Sequence, residues 1–311
     1  MAFIKAFGDY LPANIVTNEH LAAQLKCDAD WIFSASGIRQ RRRALENESI
    51  ADMATQAGRA CLQSGGVDTE QIGLLIVASG SSPRRFPGPA AETAMKLGLP
   101  SGVASLDVGM ASAGALYAMA IADSLAGRYG NVLVIAAERM TEIAWREPAD
   151  ANIAILFGDG AGACLISRDE GRAEIVDHAL HSDGSFANDL RLEHDGTFLM
   201  EGRGVILQAS RKLPAALTSL LNRNGWSADT VDMLLMHQAN QNLMNRVAQA
   251  IGLPQGRMFS VIEQTGNTSS ASMLIAAAEW SRQQASLTNK RIAFAAFGAG
   301  FHWGTMLAQG V

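Results

Sequence analysis

The chain repeats itself at long range, and this limits what it can fold into more than any other feature. The run Ile72-Gly-Leu-Leu-Ile-Val returns as Val231-Asp-Met-Leu-Leu-Met, 159 residues on, and Asn131-Val-Leu-Val-Ile returns as Arg291-Ile-Ala-Phe-Ala, 160 on. Leu97-Gly-Leu-Pro100 matches Ile251-Gly-Leu-Pro254 at an offset of 154. Asp107 and Asn267, each just ahead of an Ala/Ser-rich stretch, are again 160 apart. The period is far too long for a solenoid. It implies two similar halves packed together, which we divide as residues 1–170 and 171–311. Sites in such folds gather where the halves meet, at strand ends and helix starts.

Within each half, short apolar runs alternate with helical patterns. Ile72–Ala78, Val103–Val108, Asn131–Ala137, Ala161–Ile166, Val231–Met236 and Arg291–Phe297 read as buried strands. Ala51–Leu62, Pro89–Leu97, Ser112–Leu125, Gln241–Ile251 and Ser272–Gln284 read as helices. The alternation predicts an α/β protein with a parallel or mixed buried sheet. The stretch Ser167–Arg203, rich in Asp, Gly and His, reads as a loop-bearing connection.

Composition narrows the function. With 311 residues, 48% hydrophobic, and a net charge of −5, the chain has a large core and no basic footprint for nucleic acid. The one dense basic run, Arg39-Gln-Arg41-Arg42-Arg43, reads either as a solvated turn or as a functional patch. Cys27, Cys61 and Cys164 are scattered and form no C-x-x-C pair; Cys61, in a helical pattern, and Cys164, in an apolar run, read as small buried residues in a reducing, cytoplasmic compartment, and no metal site is implied. The N-terminal segment from Met1 is too short and polar for a signal peptide, and no apolar run is long enough for a membrane span.

Four segments carry residues suited to acyl transfer. In Asp107-Val-Gly-Met-Ala-Ser112-Ala-Gly-Ala a strand gives way to small residues and a helix start. Taken alone, Ser112 reads first as an N-cap serine. As a nucleophile it would sit beside free N–H groups and a positive helix end. His237, in Leu235-Met-His237-Gln-Ala-Asn240, ends a strand in the other half. Asn267, in Thr265-Gly-Asn267-Thr-Ser-Ser, is either turn chemistry or an amide donor to a developing anion. Phe297-Gly-Ala-Gly-Phe-His-Trp-Gly304 lets backbone N–H groups approach a carbonyl oxygen. Phe157-Gly-Asp-Gly-Ala-Gly-Ala163 lacks dinucleotide spacing and a Walker lysine, and reads as a structural loop.

Together these segments, with Trp31-Ile, Gly37-Ile-Arg39 and Phe86-Pro, resemble β-ketoacyl-ACP synthase III nearly end to end. The resemblance implies a thiolase fold of two duplicated α/β halves in an α-β-α-β-α core, and a homodimer. It implies a catalytic set at the nucleophile position, His237 and Asn267, with an oxyanion hole from the N–H groups of Ser112 and Ala299. Acyl-CoA or acyl-carrier phosphopantetheine would be substrate, and no cofactor is expected. Phe86 would reach the partner's acyl pocket, and Trp31, Met110 and Leu207 would line the pocket or its entrance.

The departures from the family are specific. Ser112 stands where the family has cysteine. Ala35 and Ala151 stand where coenzyme A-contacting arginines are common. The helix after His237 has only Arg246 to offer an acidic acyl carrier protein. A serine does not ionise as a cysteine does, so it needs His237 as base. The expected reaction is acyl transfer from a thioester through a Ser112 acyl-enzyme. The acceptor is a malonyl-type carbanion or a heteroatom nucleophile, in fatty-acid-like or polyketide-type specialised metabolism. The alternatives are a non-acylating subunit in a heterodimer with an active homologue, a decarboxylase only, or an engineered Cys-to-Ser variant of a condensing enzyme.

Overall fold

The computed structural model describes residues 2–311; Met1, the first residue of the segment weighed above as a leader, lies outside the described residues. The first half contains β1 (Phe3–Tyr10), β2 (Asn14–Thr17), α1 (Asn18–Leu25), α2 (Ala29–Ser36), β3 (Gln40–Arg43), α3 (Ile50–Gly65) and β4 (Ile72–Ala78). There follow α4 (Pro89–Leu97), β5 (Ala104–Val108), α5 (Gly114–Tyr129), β6 (Asn131–Arg139), α6 (Met140–Ala144), α7 (Ala151–Ala154) and β7 (Asp159–Ser167). The second half opens with β8 (Ala173–Ser182), β9 (Leu190–Leu192), β10 (Phe198–Met200) and α8 (Gly202–Arg223). It closes with β11 (Met233–Met236), α9 (Gln241–Ala250), α10 (Ile262–Thr265), α11 (Ser272–Arg282), β12 (Arg291–Gly298) and β13 (His302–Gly310).

Among the described residues, nine strands form one mixed sheet in the order β11-β12-β13-β8-β1-β7-β6-β4-β5. One pairing pattern occurs twice in it. In the first half β4 runs parallel to β6, and β6-β7-β1 continue antiparallel. In the second, β11 runs parallel to β12, and β12-β13-β8 continue antiparallel. The halves join where β1 and β8 pair over Phe3↔Glu174 and Ile4↔Ala173.

Alternation along the strands separates the layers. Leu74, Ile76, Val132 and Val134 face a central core with Leu116 and Met119 of α5, Leu274 of α11, and Phe294 and Met306 of the second half. Their neighbours Leu75, Val77, Leu133 and Ile135 face an outer core under α3. The matching outer core of the second half lies under α8, with Leu213, Leu217, Leu234 and Leu307. Helix α5 contacts strands of both halves. It is apolar on nearly every side, as a helix buried between two layers must be. Its alanines 115, 118 and 122 are fully buried and let sheet and helix approach closely.

Two regions differ from the sequence reading. Ser167–Arg203 contains β8, which pairs with β13 from Ala173 to Ser182. Its half-buried Asp177 and His178 and its exposed His181 hid the strand among turn-like residues. The basic run is no solvated turn: Gln40–Arg43 is β3, paired with β2, and Arg41 is fully buried. Arg41 donates to Asn18 Oδ1 at 2.7 Å, the Ile155 carbonyl at 2.8 Å and the Val16 carbonyl at 3.4 Å. Burial without an acidic contact holds its pKa down to about 10. Among the described residues no helix is long and apolar enough to cross a membrane.

Candidate active site

Ser112 sits on a constrained turn between β5 and α5. Its φ is 62°, in the left-handed region that costs a side-chain-bearing residue on the order of 1 kcal/mol. The turn is boxed in by two glycines. A Cβ on Gly80 would stand 2.6 Å from Ala111 Cβ, and one on Gly298 would stand 2.9 Å from Ser112 Cβ and strike the Ala111 carbonyl. Glycine at 298 thus lets the β12 end lie against the backbone of Ser112. Helix α5 starts at Gly114, so the serine lies at the positive end of a long helix.

His237 follows β11 and is buried. Its Nδ1 lies 2.7 Å from Ser272 Oγ. That oxygen accepts from the Gln238 N–H at 3.0 Å and donates its single proton to the Ser269 carbonyl at 2.9 Å. With the Ser272 proton assigned to the Ser269 carbonyl, we assign the ring hydrogen to Nδ1, which leaves Nε2 as an acceptor. Burial pushes the imidazole pKa down to about 4, so the ring is neutral near pH 7. The other polar residues of the motif brace the backbone, and Asn240 also lines the cavity beside His237. Gln238 donates to the Met236 carbonyl and accepts from the Val261 N–H, while Asn240 caps α9 through the N–H groups of Asn242 and Leu243.

Asn267 is fixed from both sides of its side chain. Oδ1 accepts from the Ser269 N–H at 2.8 Å, and Nδ2 donates to the Ala239 carbonyl at 3.3 Å. Its backbone bonds with Leu156 and Gly158, so Phe157 is held beside it.

These side chains meet. Ser112, His237 and Asn267 line one narrow apolar cavity of about 90 Å³, with Phe157, Met236 and Ile206 among its walls. Ser112 also lines a second cavity of about 50 Å³, with Ser269, Ala299 and Leu190. The serine thus stands where two chambers adjoin. Its hydroxyl makes no hydrogen bond to His237 or Asn267. Its N–H donates to Ser269 Oγ at 2.9 Å. The Ala299 N–H has no acceptor among the described residues.

Four other residues named from the sequence lie off the cavity walls. Trp31 is half-buried on α2, packed near Ile32 and Ile155. Phe86 is 86% exposed, and Leu207, on α8, is 47% exposed. Met110 is half-buried under the Ser112 turn, against Gly114. Sequence reasoning missed Ser269 and Ser272, whose side chains hold Ser112 and His237. A triplet of small serines before a helix gives no sign of which one is structural. It also took the Phe157 loop as framework only, although Phe157 lines both cavities. Cys61 and Cys164 do not compete as nucleophiles: burial pushes their thiols up.

The chain is similar to known proteins along nearly its whole length. Residues 106–184 match the family 3-oxoacyl-(acyl-carrier-protein) synthase III, and residues 221–309 match its C-terminal model. The β-ketoacyl-(acyl-carrier-protein) synthase III of Ehrlichia canis is 36% identical over 320 residues, covering 99% of this chain and 99% of that protein. The crystal structure of the Aquifex aeolicus 3-oxoacyl-(acyl-carrier-protein) synthase III superposes with a TM-score of 0.94 at 33% identity, covering 99% of this chain and 100% of that one. The priming β-ketosynthase of the R1128 polyketide pathway superposes at 0.91 with 28% identity, over 100% and 96%. The fold is the thiolase fold, and the chain is an acyltransferase belonging to the 3-oxoacyl-(acyl-carrier-protein) synthase III family.

Proposed function

We propose that this enzyme loads an acyl group from a thioester onto Ser112 and passes it to a second nucleophile. The observation that carries this reading is the strained Ser112 on the wall of a cavity it shares with a neutral His237 and a fixed Asn267. The Ser112 Oγ–carbon bond forms as the carbon–sulfur bond breaks. The hydroxyl proton passes through Nε2 of His237 to the departing thiolate. Asn267 offers its free amide hydrogen to the anion, and His237 becomes a donor while it holds the proton. The serine takes the place of the family's cysteine, so proton removal and attack are coupled. Among the described residues the partner of His237 Nδ1 is a hydroxyl and not a carboxylate, so burial leaves the ring a weak base.

An oxygen ester is less electrophilic than a thioester, so a heteroatom acceptor suits the acyl-enzyme better than a carbanion does. The donor is an acyl-CoA or an acyl-carrier thioester. Ala35 and Ala151 offer no cation to a nucleotide phosphate, and α9 offers an acidic carrier only Arg246, so the two donors are compared directly in the thiol-release assay. A second copy of the chain is the expected partner: Phe86 is exposed, and so is Leu106 on the outer edge strand β5. Thiol release from acyl thioesters tests the reading. Wild type should give a burst of one thiol per site and S112A none.

One observation favours a second reading, decarboxylation without acylation. The Ser112 hydroxyl has no hydrogen bond to His237, while the free amide hydrogen of Asn267 could meet an enolate from a malonyl thioester. Carbon dioxide release from malonyl donors that persists in S112A, without any thiol burst in wild type, would select it.

A further inference from the structure

Glu138, at the end of β6, is fully buried and has no part in the reaction above. Its carboxylate is gripped by both halves of the chain. From the first half it accepts from the Gly80 N–H, shared between its two oxygens at 3.1 Å, from the Ser79 hydroxyl at 3.3 Å and from the Ser81 hydroxyl. From the second half it accepts from the Ser270 hydroxyl at 2.6 Å and the Ser270 N–H at 3.3 Å. Each of these partners is a neutral hydroxyl or a backbone N–H. Hydrogen bonds to a carboxylate are stronger than neutral ones, and a buried N–H that loses its acceptor is costly.

The donors that hold Glu138 also flank the nucleophile turn. Gly80 packs against Ala111, where a Cβ on the glycine would stand 2.6 Å from Ala111 Cβ. Ser270 packs against Gly114 at the head of α5, where a Cβ on that glycine would stand 3.3 Å from Ser270 Cβ. Ser270 also lies in the short turn Ser269–Ala271, just after Asn267. One carboxylate therefore joins the segment packed beside Ser112 to the segment that carries Asn267.

We propose that Glu138 is a positioning residue: by accepting from Gly80 and Ser270 at once, it sets the separation between the Ser112 turn and Asn267. It touches no substrate and acts only through these two backbone segments. The inference rests on the acyl-enzyme reading above.

Three variants test it. E138Q keeps the side chain's shape but turns one acceptor into an amide group that faces donors. E138D keeps both acceptors on a shorter arm. S270A removes only the hydroxyl bond from the second half. Single-turnover acylation by an acyl thioester should slow about 10²-fold in E138Q, the size of effect that a misplacement near 1 Å produces, and less than about tenfold in E138D. In S270A it should slow about tenfold. Thioester affinity, measured with S112A also present so that no transfer occurs, should change less than about threefold, since the carboxylate meets no substrate. An E138Q protein that acylates at the wild-type rate, or at least as fast as E138D, overturns the proposal, because the side chain then only fills space. Equal losses in acylation and in thioester affinity also overturn it, because they indicate a general loosening of the site. Where E138Q does not fold, S270A decides: slower acylation at unchanged affinity upholds the proposal, and a wild-type rate overturns it. A wild type that acylates sends any such failure to Glu138 alone, whereas a wild type that never acylates sinks the acyl-enzyme reading itself.

Discussion

Ser272 Oγ and His237 Nδ1 lie 2.7 Å apart, and this contact sets which nitrogen of the imidazole faces the cavity. Ser272 heads α11 as Ser112 precedes α5, at the 160-residue offset of the internal repeat. One serine of the duplicated pair is thus offered to substrate, while its counterpart orients the base. S272A should leave His237 without its Nδ1 partner and the Gln238 N–H without an acceptor. We expect acylation to fall about tenfold, matching ~1.4 kcal/mol of lost orientation. The ¹⁵N shifts of His237 should read Nδ1–H in wild type and mixed tautomers in S272A.

The pKa of His237 makes a pH prediction. Folding pushes it from 6.5 down to about 4 through burial. As pH falls, the unfolded chain binds this proton first, so stability drops between about pH 6.5 and 4 and the loss is complete below that. The full effect is on the order of 3 kcal/mol. Denaturant titrations should show H237Q losing less stability than wild type across this window. The acid limb of acylation should likewise lie near pH 4, not near 6.5.

Gly298 offers a steric test. An added methyl would press on Ser112 Cβ and on the Ala111 carbonyl. G298A should cost about 10²-fold in acylation through misplacement of the serine, with a much smaller change in thioester KM. Steady-state kinetics with folding checked by circular dichroism reads this directly.

Arg41 carries the fourth prediction. Its guanidinium ties β3 to the Ile155 carbonyl at the end of α7, just ahead of Phe157. R41A leaves buried acceptors unpaired and opens a cavity, so unfolding stability should fall by about 3 kcal/mol. R41K, which cannot reach both Asn18 and Ile155, should recover only part of it.

Some of this was legible in the sequence for identifiable reasons. Strand β4 is buried on both faces, so it reads as an unbroken apolar run, and α4 is bracketed by Pro89 and Gly98 at its ends. The repeat pointed to Ser112, His237 and Asn267 because each stands at a strand end or helix start. Strand β8 stayed hidden because its outer residues are charged or histidine. Arg41 resembled its solvated neighbours, since nothing local marks which arginine of a run points inward. The Ser112–Ser269 contact joins residues 157 apart in the chain, and no pattern within either segment foretells it.

The most direct measurement is peptide-mapped mass spectrometry after brief incubation with acyl thioesters of several chain lengths. The account predicts one acyl group per chain, on the peptide containing Ser112, absent from S112A and formed far more slowly in H237A. An unmodified Ser112 with every donor, or an adduct elsewhere whose formation S112A leaves unchanged, would contradict it.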